Sequence, residues 1–477
     1  MMKRLKIVSW VKPAIGLLIP LFILLIPADR LLPGMSPVEH RVLALFLMAA
    51  LFWIMEPIPV FATSVLIIVL ELLIVSDQGF LPLRQGPGGE EWSNLLDYKE
   101  IMATFASPVI LLILGGFFLA MAATKYRLDQ SLAGILLKPF GSRPTVVLLG
   151  LMAITGVFSM FMSNTATTAM MLAILAPILQ KLGPEDTGRV AFALGIPFAA
   201  NIGGLGTPIG SPPNAIALKY MGASAVGFGE WMVFALPFTM VLLLAAWGIL
   251  KYLYPFQAVS VELNLKSRFL RSTKAYIVYG TFILTLGLWL TDFAHGMNSY
   301  VVSMIPVAIF LSAGIINRED LKGISWDVLW LVAGGIALGL ALEKSGLAGR
   351  LVTQIPFAGQ PAFLVLFLAS LAGLLMANFM SHTGTTNLLL PIVAAMGSSG
   401  LILDSIGGTG ALIIGVTFSI SVGMALPIST PPNALAQAAG GIKTPQMAKA
   451  GALVGLTGLG LAMLMVVLFK AFNFFQS

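Results

Sequence analysis

The chain holds 477 residues, 58% of them hydrophobic and only 10% charged, with a mean hydropathy of +0.95. Soluble domains carry about 25% charged residues, and disordered chains combine high charge with low hydrophobicity, so both classes are excluded. The formal charge of +7 does not signal nucleic-acid binding, because the basic residues sit in short loops between apolar runs, where they set membrane orientation.

The apolar runs reach roughly 20 residues, the length of a helical span rather than of a barrel strand, which defines an all-α polytopic protein of the lipid bilayer. The basic stretch 1–12 leads into the first of these runs with no small-residue cleavage site behind it, so the first helix is read as retained. Cysteine is absent, which removes disulfides and thiolate chemistry. About 11 crossings are expected, near 13–32, 38–56, 58–76, 107–124, 188–221, 230–254, 275–294, 299–316, 325–343, 408–440 and 450–472. The stretch 77–106 is expected to hold an interfacial amphipathic helix, and 251–274 to be a basic cytoplasmic linker.

Two segments, 144–182 and 361–395, read as hairpins. No charge lies between Arg143 and Lys181, yet two full spans alone would use about 40 residues. The middle of this segment, Ser163-Asn164-Thr165-Ala166-Thr167-Thr168, is polar but uncharged. Such a tip suits a re-entrant hairpin ending inside protein, where non-helical backbone is tolerated at membrane depth. With a cytoplasmic N-terminus and an external C-terminus, only Arg30, Arg41, Arg84, Lys99, Lys219, Lys344, Arg350 and Lys470 of the 27 Lys and Arg fall outside. That bias follows the positive-inside rule; the expected location is a plasma membrane, the bacterial inner membrane.

Three landmarks recur in order at an offset of 218 or 219 residues. Gly115-Gly116 returns as Gly334-Gly335, and Ser163-Asn164-Thr165 as Ser381-His382-Thr383. Pro208 through Ala215 returns as Pro427 through Ala434, each containing Pro-Pro-Asn. Five crossings separate the starts of the two units, an odd number, so the second is inverted in the membrane. Inverted repeats with Gly/Pro-interrupted helices at matching positions are the signature of secondary transporters. The chain divides into N-terminal scaffold helices (1–106), a first repeat (107–256), a linker with two helices (257–324) and a second repeat (325–477).

Each repeat supplies a hairpin tip and a broken helix. Glycine permits unwound backbone and proline cannot donate, so carbonyls in the breaks lose their helical partners and become candidate ligands for a hard cation. The half-helices that follow Pro212 and Pro431 would offer free N–H groups and a positive dipole end to an anion. A channel has no use for such paired breaks. An intramembrane enzyme would need a nucleophile–base pair, and the adjacent side chains of Ser381 and His382 point apart.

These tips and breaks, with Glu56-Pro57-Ile58-Pro59 ahead of the third helix, resemble the divalent anion/sodium symporters, over residues 38 to 472. The resemblance implies a homodimer with elevator-type alternating access, Na⁺ as coupling ion, and a small divalent anion as substrate, C4-dicarboxylates first, with citrate or sulfate as the alternatives. Carried over, Ser159, Ser163, Asn164 and a carbonyl near Gly206 would hold Na⁺, while Asn164, Thr165, Thr383 and the backbone around Thr207 and Pro427 would face the anion.

The second half departs from the family pattern, with His382 where Asn is expected and Ala377 where the first half has Ser159. Imidazole nitrogen is a poor ligand for Na⁺. Two readings stay open. His382 is a protonated cation beside the anion, with Na⁺-independent exchange as its extreme consequence, or it is neutral and bonds substrate while Asn378, with Ser381, completes a second Na⁺ site. His40 and His295 are read as packing residues at loop borders, and Glu56 and Glu71 as structural groups that pair at an interface.

Overall fold

The computed structural model describes residues 2–86, 88–183, 185–222, 225–261, 269–354, 360–397 and 403–475. Among the described residues the chain is helical, with only two isolated bridges, Ser76 to Leu96 and Gln85 to Glu91. Lys266 and Arg268 of the linker lie outside the described residues.

Every expected crossing is present as a helix or a pair of half-helices. Among the described residues, eight helices are long and apolar enough to span a membrane. Seven of them are expected crossings, and the eighth, Ala362–Phe379, is a hairpin arm. The remaining crossings use shorter helices such as Val60–Ile74 and Gly408–Ser421. Local sequence sets the boundaries. Ser36 and Glu39 form a reciprocal capping box that starts Pro37–Met55, and Glu56 ends it in the left-handed region at φ 48°, immediately before Pro57. The stretch 77–106 corrects the expectation of one amphipathic helix. It holds two short helices, Leu81–Arg84 and Tyr98–Ala103, around a loop closed by the two bridges, because Pro82 and the Gly-rich run near 86–89 interrupt any longer helix.

Both hairpins form. The first has arms Pro144–Ser159 and Asn164–Lys181, the second Ala362–Phe379 and His382–Met396. A 16-residue arm rises about 24 Å, short of the ~30 Å hydrocarbon core. The broken helices pair Gly188–Gly203 with Pro212–Met221, and Gly408–Ser421 with Pro431–Gly440. They exchange partners across the repeats. Pro212–Met221 packs on the second hairpin and on Gly408–Ser421, while Pro431–Gly440 packs on the first hairpin and on Gly188–Gly203.

Ion pairs fix which ends lie together. Lys125, ending Pro108–Lys125, meets Asp320 at 2.5 Å, just ahead of the start of Trp326–Lys344. The two repeat-related helices therefore run in opposite directions, as an inverted repeat requires. Partial burial raises the pKa of Asp320, but the hydrogen bond and charge of Lys125 hold it below its ordinary value. At the other ends, Arg350 pairs with Glu39 at 2.8 Å and Lys344 with Glu100 at 3.1 Å. Each pair joins residues that the sequence analysis put on one side.

The repeat relation extends further back than 107. Ser64 Oγ donates to Leu331 O, and Ser303 Oγ lies 3.3 Å from Leu111 O. A Cβ on Gly334 would fall 2.3 Å from Ser64 Cβ, and one on Gly115 would fall 2.2 Å from Ser303 O. Helix Val60–Ile74 thus seats on Trp326–Lys344 as the Ser299–Ser312 segment seats on Pro108–Lys125.

The tightest approach around the first break is Gly203, where a Cβ would lie 2.3 Å from Gly156 O, backbone against backbone. Neither side can yield by a rotamer change. Gly203→Ala should cost about 1–3 kcal/mol by overpacking, read as a lowered thermal midpoint in detergent. Gly248→Ala, with nothing within 4 Å of its Cβ, should leave the midpoint unchanged.

Candidate functional site

The two tips and the two breaks meet around one cavity of about 230 Å³. Its lining includes Ser163, Asn164 and Thr165 from the first tip, and Ser381, His382 and Thr383 from the second. Ser211, Pro212 and Pro213 face it from one break, and Ser429, Thr430, Pro431 and Pro432 from the other. Among the described residues the lining carries no Lys or Arg, and Asp327 is its one carboxylate. An anion held here would depend on dipoles and hydrogen bonds rather than on a fixed basic side chain.

Four helices begin at this cavity. Asn164–Lys181 starts at the N-cap Ser163, and His382–Met396 at the N-cap Ser381. Pro212–Met221 and Pro431–Gly440 start from the breaks. All four direct the positive ends of their dipoles to the same space. The sequence analysis placed the free N–H groups at the breaks, and the geometry redistributes them. Prolines at the first two positions of each break helix have no N–H. The Asn433 N–H is taken by Thr430 Oγ1 at 3.3 Å, and that of Asn214 lies 3.1 Å from Ser211 O. The hairpin tips carry no such prolines, so the N–H groups of a first helical turn are more available there than at the breaks.

Residues singled out from the sequence separate into those on the cavity and those that build its walls. Asn164, Thr165, His382 and Thr383 line it, with Ser163 and Ser381. Thr207 does not. Fully buried, it donates to Met160 O and accepts from Gly210 N at 3.1 Å, tying the first break to the first hairpin. Pro427 is half-buried and off the cavity. Asn378 Oδ1 accepts from Ala425 N at 2.7 Å and its amide donates to Leu374 O, so Asn378 caps the second break instead of facing the cavity.

The expected freed carbonyls are mostly not free. Asn214 Nδ2 sits 2.8 Å from both Gly204 O and Thr207 O, and Trp231 Nε1 donates to Leu205 O at 3.0 Å. Asn433 does the same for the second break, with Met424 O at 2.8 Å and Leu426 O at 3.1 Å. Gly206, the carbonyl expected as a ligand, is not among those Asn214 caps. The halves are also stitched to each other, since Asn201 Nδ2 reaches Thr430 Oγ1 at 3.1 Å and Asn433 Oδ1 at 3.2 Å. Sequence reasoning missed Asn201, Ser211, Ser429 and Thr430, although the last three lie inside or beside the repeated Pro-Pro-Asn motif.

Beneath the first tip, Ser159 Oγ lies 2.5 Å from Asn164 Oδ1 and 2.8 Å from Ala200 O. A hydroxyl has one proton and cannot donate to both acceptors. Either the Asn164 amide turns its nitrogen toward Ser159, or the oxygens share a small hard cation, which takes oxygen ligands of this kind. The second half has no equivalent cluster. Ala377 replaces Ser159, and His382 Nε2 donates to Gly423 O at 2.8 Å. Gly423 is the counterpart of Gly204, which touches Asn164 in the first half. An imidazole N–H thus stands where the first half gathers oxygens. Because a carbonyl only accepts, Nε2 carries a proton.

Paired hairpins and broken helices around one cavity, in an inverted repeat, define a membrane transporter. The chain belongs to the citrate transporter family, whose CitMHS profile matches residues 50–406. It is similar to SdcS, a sodium-dependent dicarboxylate transporter of Staphylococcus saprophyticus, at 30% identity over 89% of this chain and 85% of that protein. It is also 29% identical, over 84% of its length, to PHO87, an inorganic phosphate transporter of Saccharomyces cerevisiae, and spans only 43% of that protein. Among solved structures, the YdaH transporter of Alcanivorax borkumensis shares the fold, with a TM-score of 0.56 at 15% identity, covering 87% of this chain and 98% of its own.

Removing the Asn214 amide would strand carbonyls in a dry site. Asn214→Ala should therefore destabilise the protein by about 1–3 kcal/mol for each carbonyl left unpaired, visible as a lower thermal midpoint. Thr165→Ala, on the cavity wall, should leave that midpoint nearly unchanged.

Proposed function

We propose that this protein is a secondary active transporter that couples Na⁺ to the movement of small divalent anions, C4-dicarboxylates such as succinate, malate or fumarate, across the plasma membrane. The observation that carries the reading is the oxygen cluster of Ser159, Asn164 and Ala200 directly under a cavity edged by four helix N-termini. A Na⁺ ion there would add positive charge beside the anion and fix the Asn164 amide, so each ligand would favour the other by one shared coupling free energy. Asn164, Thr165, Thr383 and the first-turn N–H groups of the tips would hold the carboxylates, and Ser163 would complete the cation shell. The similarity to SdcS supports dicarboxylate and sodium together.

The hairpins and broken helices would form a moving domain against the helices of residues 1–125 and 257–344, in an elevator cycle within a homodimer, with the N-terminus cytoplasmic and the C-terminus outside. Trp326–Lys344 and Pro108–Lys125 belong with the scaffold, because Ser64 and Gly334 bind the first to Val60–Ile74 and Ser303 and Gly115 bind the second to the Ser299–Ser312 segment.

A second reading rests on His382. Its N–H takes the place of a second cation at Gly423 O, which favours fewer Na⁺ per cycle and, at the limit, Na⁺-independent exchange. Sulfate is the alternative cargo, and phosphate joins it through the similarity to PHO87.

Uptake of radiolabelled succinate into proteoliposomes, empty or loaded with succinate, with and without an inward Na⁺ gradient, tests these readings. Na⁺-dependent uptake into empty vesicles is expected, with activation by Na⁺ that is not cooperative. Ser159→Ala should weaken the apparent Na⁺ affinity by about tenfold, the equivalent of ~1.4 kcal/mol. Uptake only into loaded vesicles and indifferent to Na⁺ would select exchange. No succinate uptake with phosphate or sulfate uptake instead would reassign the cargo.

A further inference from the structure

Helix Val60–Ile74 carries a carboxyl that the anion cavity does not use. Glu71 is fully buried, and neither of its oxygens meets a hydrogen-bond partner among the described residues. The pairing expected from the sequence is absent: none of the ion pairs among the described residues includes Glu71 or Glu56. The internal repeat supplies the comparison. Aligning Ser64 with Ser303 carries Val60 onto Ser299 and Glu71 onto Phe310, itself fully buried. An apolar ring therefore satisfies packing at this position in the other half. An ionised carboxylate in the same dry place would cost several kcal/mol, whereas the neutral acid avoids most of that cost.

The other titratable groups of the packed elements are engaged elsewhere. On Pro37–Met55, Glu39 pairs with Arg350, His40 bonds Ile23 O, and Arg41 donates to Ile74 O and Leu83 O. On Tyr98–Ala103, Glu100 pairs with Lys344, and Lys99 lies over the Tyr98 ring. On Trp326–Lys344, Asp327 lines the anion cavity and Glu343 is exposed. The remaining group comes from the first broken helix. Tyr220 lies within electrostatic reach of both Glu71 and Glu343. Its hydroxyl donates to Gly335 O at 3.4 Å and fills the space beside Gly339, where a Cβ would lie 1.7 Å from it. Tyr220 of the broken helix thus packs on Trp326–Lys344, the same helix on which the Glu71-bearing Val60–Ile74 packs.

We propose that Glu71 is a proton-binding site at the contact between the scaffold and the moving broken helix. The contact closes around the neutral acid. When Tyr220 withdraws with its helix, water reaches Glu71, its O–H bond breaks and the proton passes to water, so the cycle is linked to a proton as well as to the ion at the first tip. This inference rests on the two-domain reading above. Rising pH leaves the open contact ionised and slows its closure, by up to about tenfold per pH unit above the apparent pKa of the site. Glu71→Gln has no proton to lose and gives a flat profile.

The test has two parts. Infrared spectra of the purified protein in lipid at neutral pH, without any anion, should show a protonated-carboxyl C=O band that Glu71→Gln and Glu71→Phe both remove. Succinate uptake in proteoliposomes should fall with pH in the wild type and stay level in Glu71→Gln, with Glu71→Phe as the variant that matches Phe310. Absence of the band, or the wild-type pH profile in Glu71→Gln, would overturn the proposal. Since the band is read without a transported anion, its presence in a protein that moves no succinate would count against the dicarboxylate assignment and in favour of Glu71 as a protonated site.

Discussion

A helix broken at membrane depth releases backbone carbonyls and N–H groups where no bulk water can satisfy them, and the rest of this structure is arranged around that constraint. The Pro-Pro-Asn motif answers it locally. Proline removes two of the N–H groups that would otherwise be stranded, and the asparagine amide turns back to bind the carbonyls of its own break, Gly204 and Thr207 in one half, Met424 and Leu426 in the other. What the motif leaves over is a pair of short, rigid half-helix ends held beside the hairpin tips. The cavity is a consequence of solving a backbone problem twice, in opposite orientations.

The same symmetry shows where function departs from architecture. The two halves share capped hairpins, broken helices, asparagine staples and serine-to-glycine seats, so these belong to the scaffold of the fold. They differ at Ser159 against Ala377, Asn164 against His382, and Glu71 against Phe310. Each difference changes a charge or an ion ligand and leaves the packing alone. A repeat protein thus carries its own control: a residue whose counterpart does the same structural work with different chemistry is the residue to suspect of function.

Much of this was legible in the sequence. The uncharged run between Arg143 and Lys181, the polar tip at Ser163-Asn164-Thr165, and the constant offset between the halves all follow from what lipid tolerates, and the helices lie where those signals put them. The side-chain assignments were less legible. Thr207 and Asn378 are polar and adjacent to the breaks, as ligands would be, but a break also needs internal partners, and one sequence cannot say which role a hydroxyl or amide fills. Asn201 escaped notice because its partners, Thr430 and Asn433, lie in the other half. The stretch 77–106 mixes charge with Trp92, as an interfacial helix would, but Pro82 and the glycines near 86–89 permit only short helices there.

In the proposed cycle the first tip holds one cation whose binding completes the anion site, while the imidazole of the second tip replaces the other. Equilibrium binding of succinate to the purified protein, titrated across Na⁺ concentrations at constant ionic strength, measures this directly. Anion affinity should rise with Na⁺ with a dependence of one ion per anion, and Ser159→Ala should abolish the dependence. Affinity independent of Na⁺, or a dependence of two ions that survives Ser159→Ala, would contradict it.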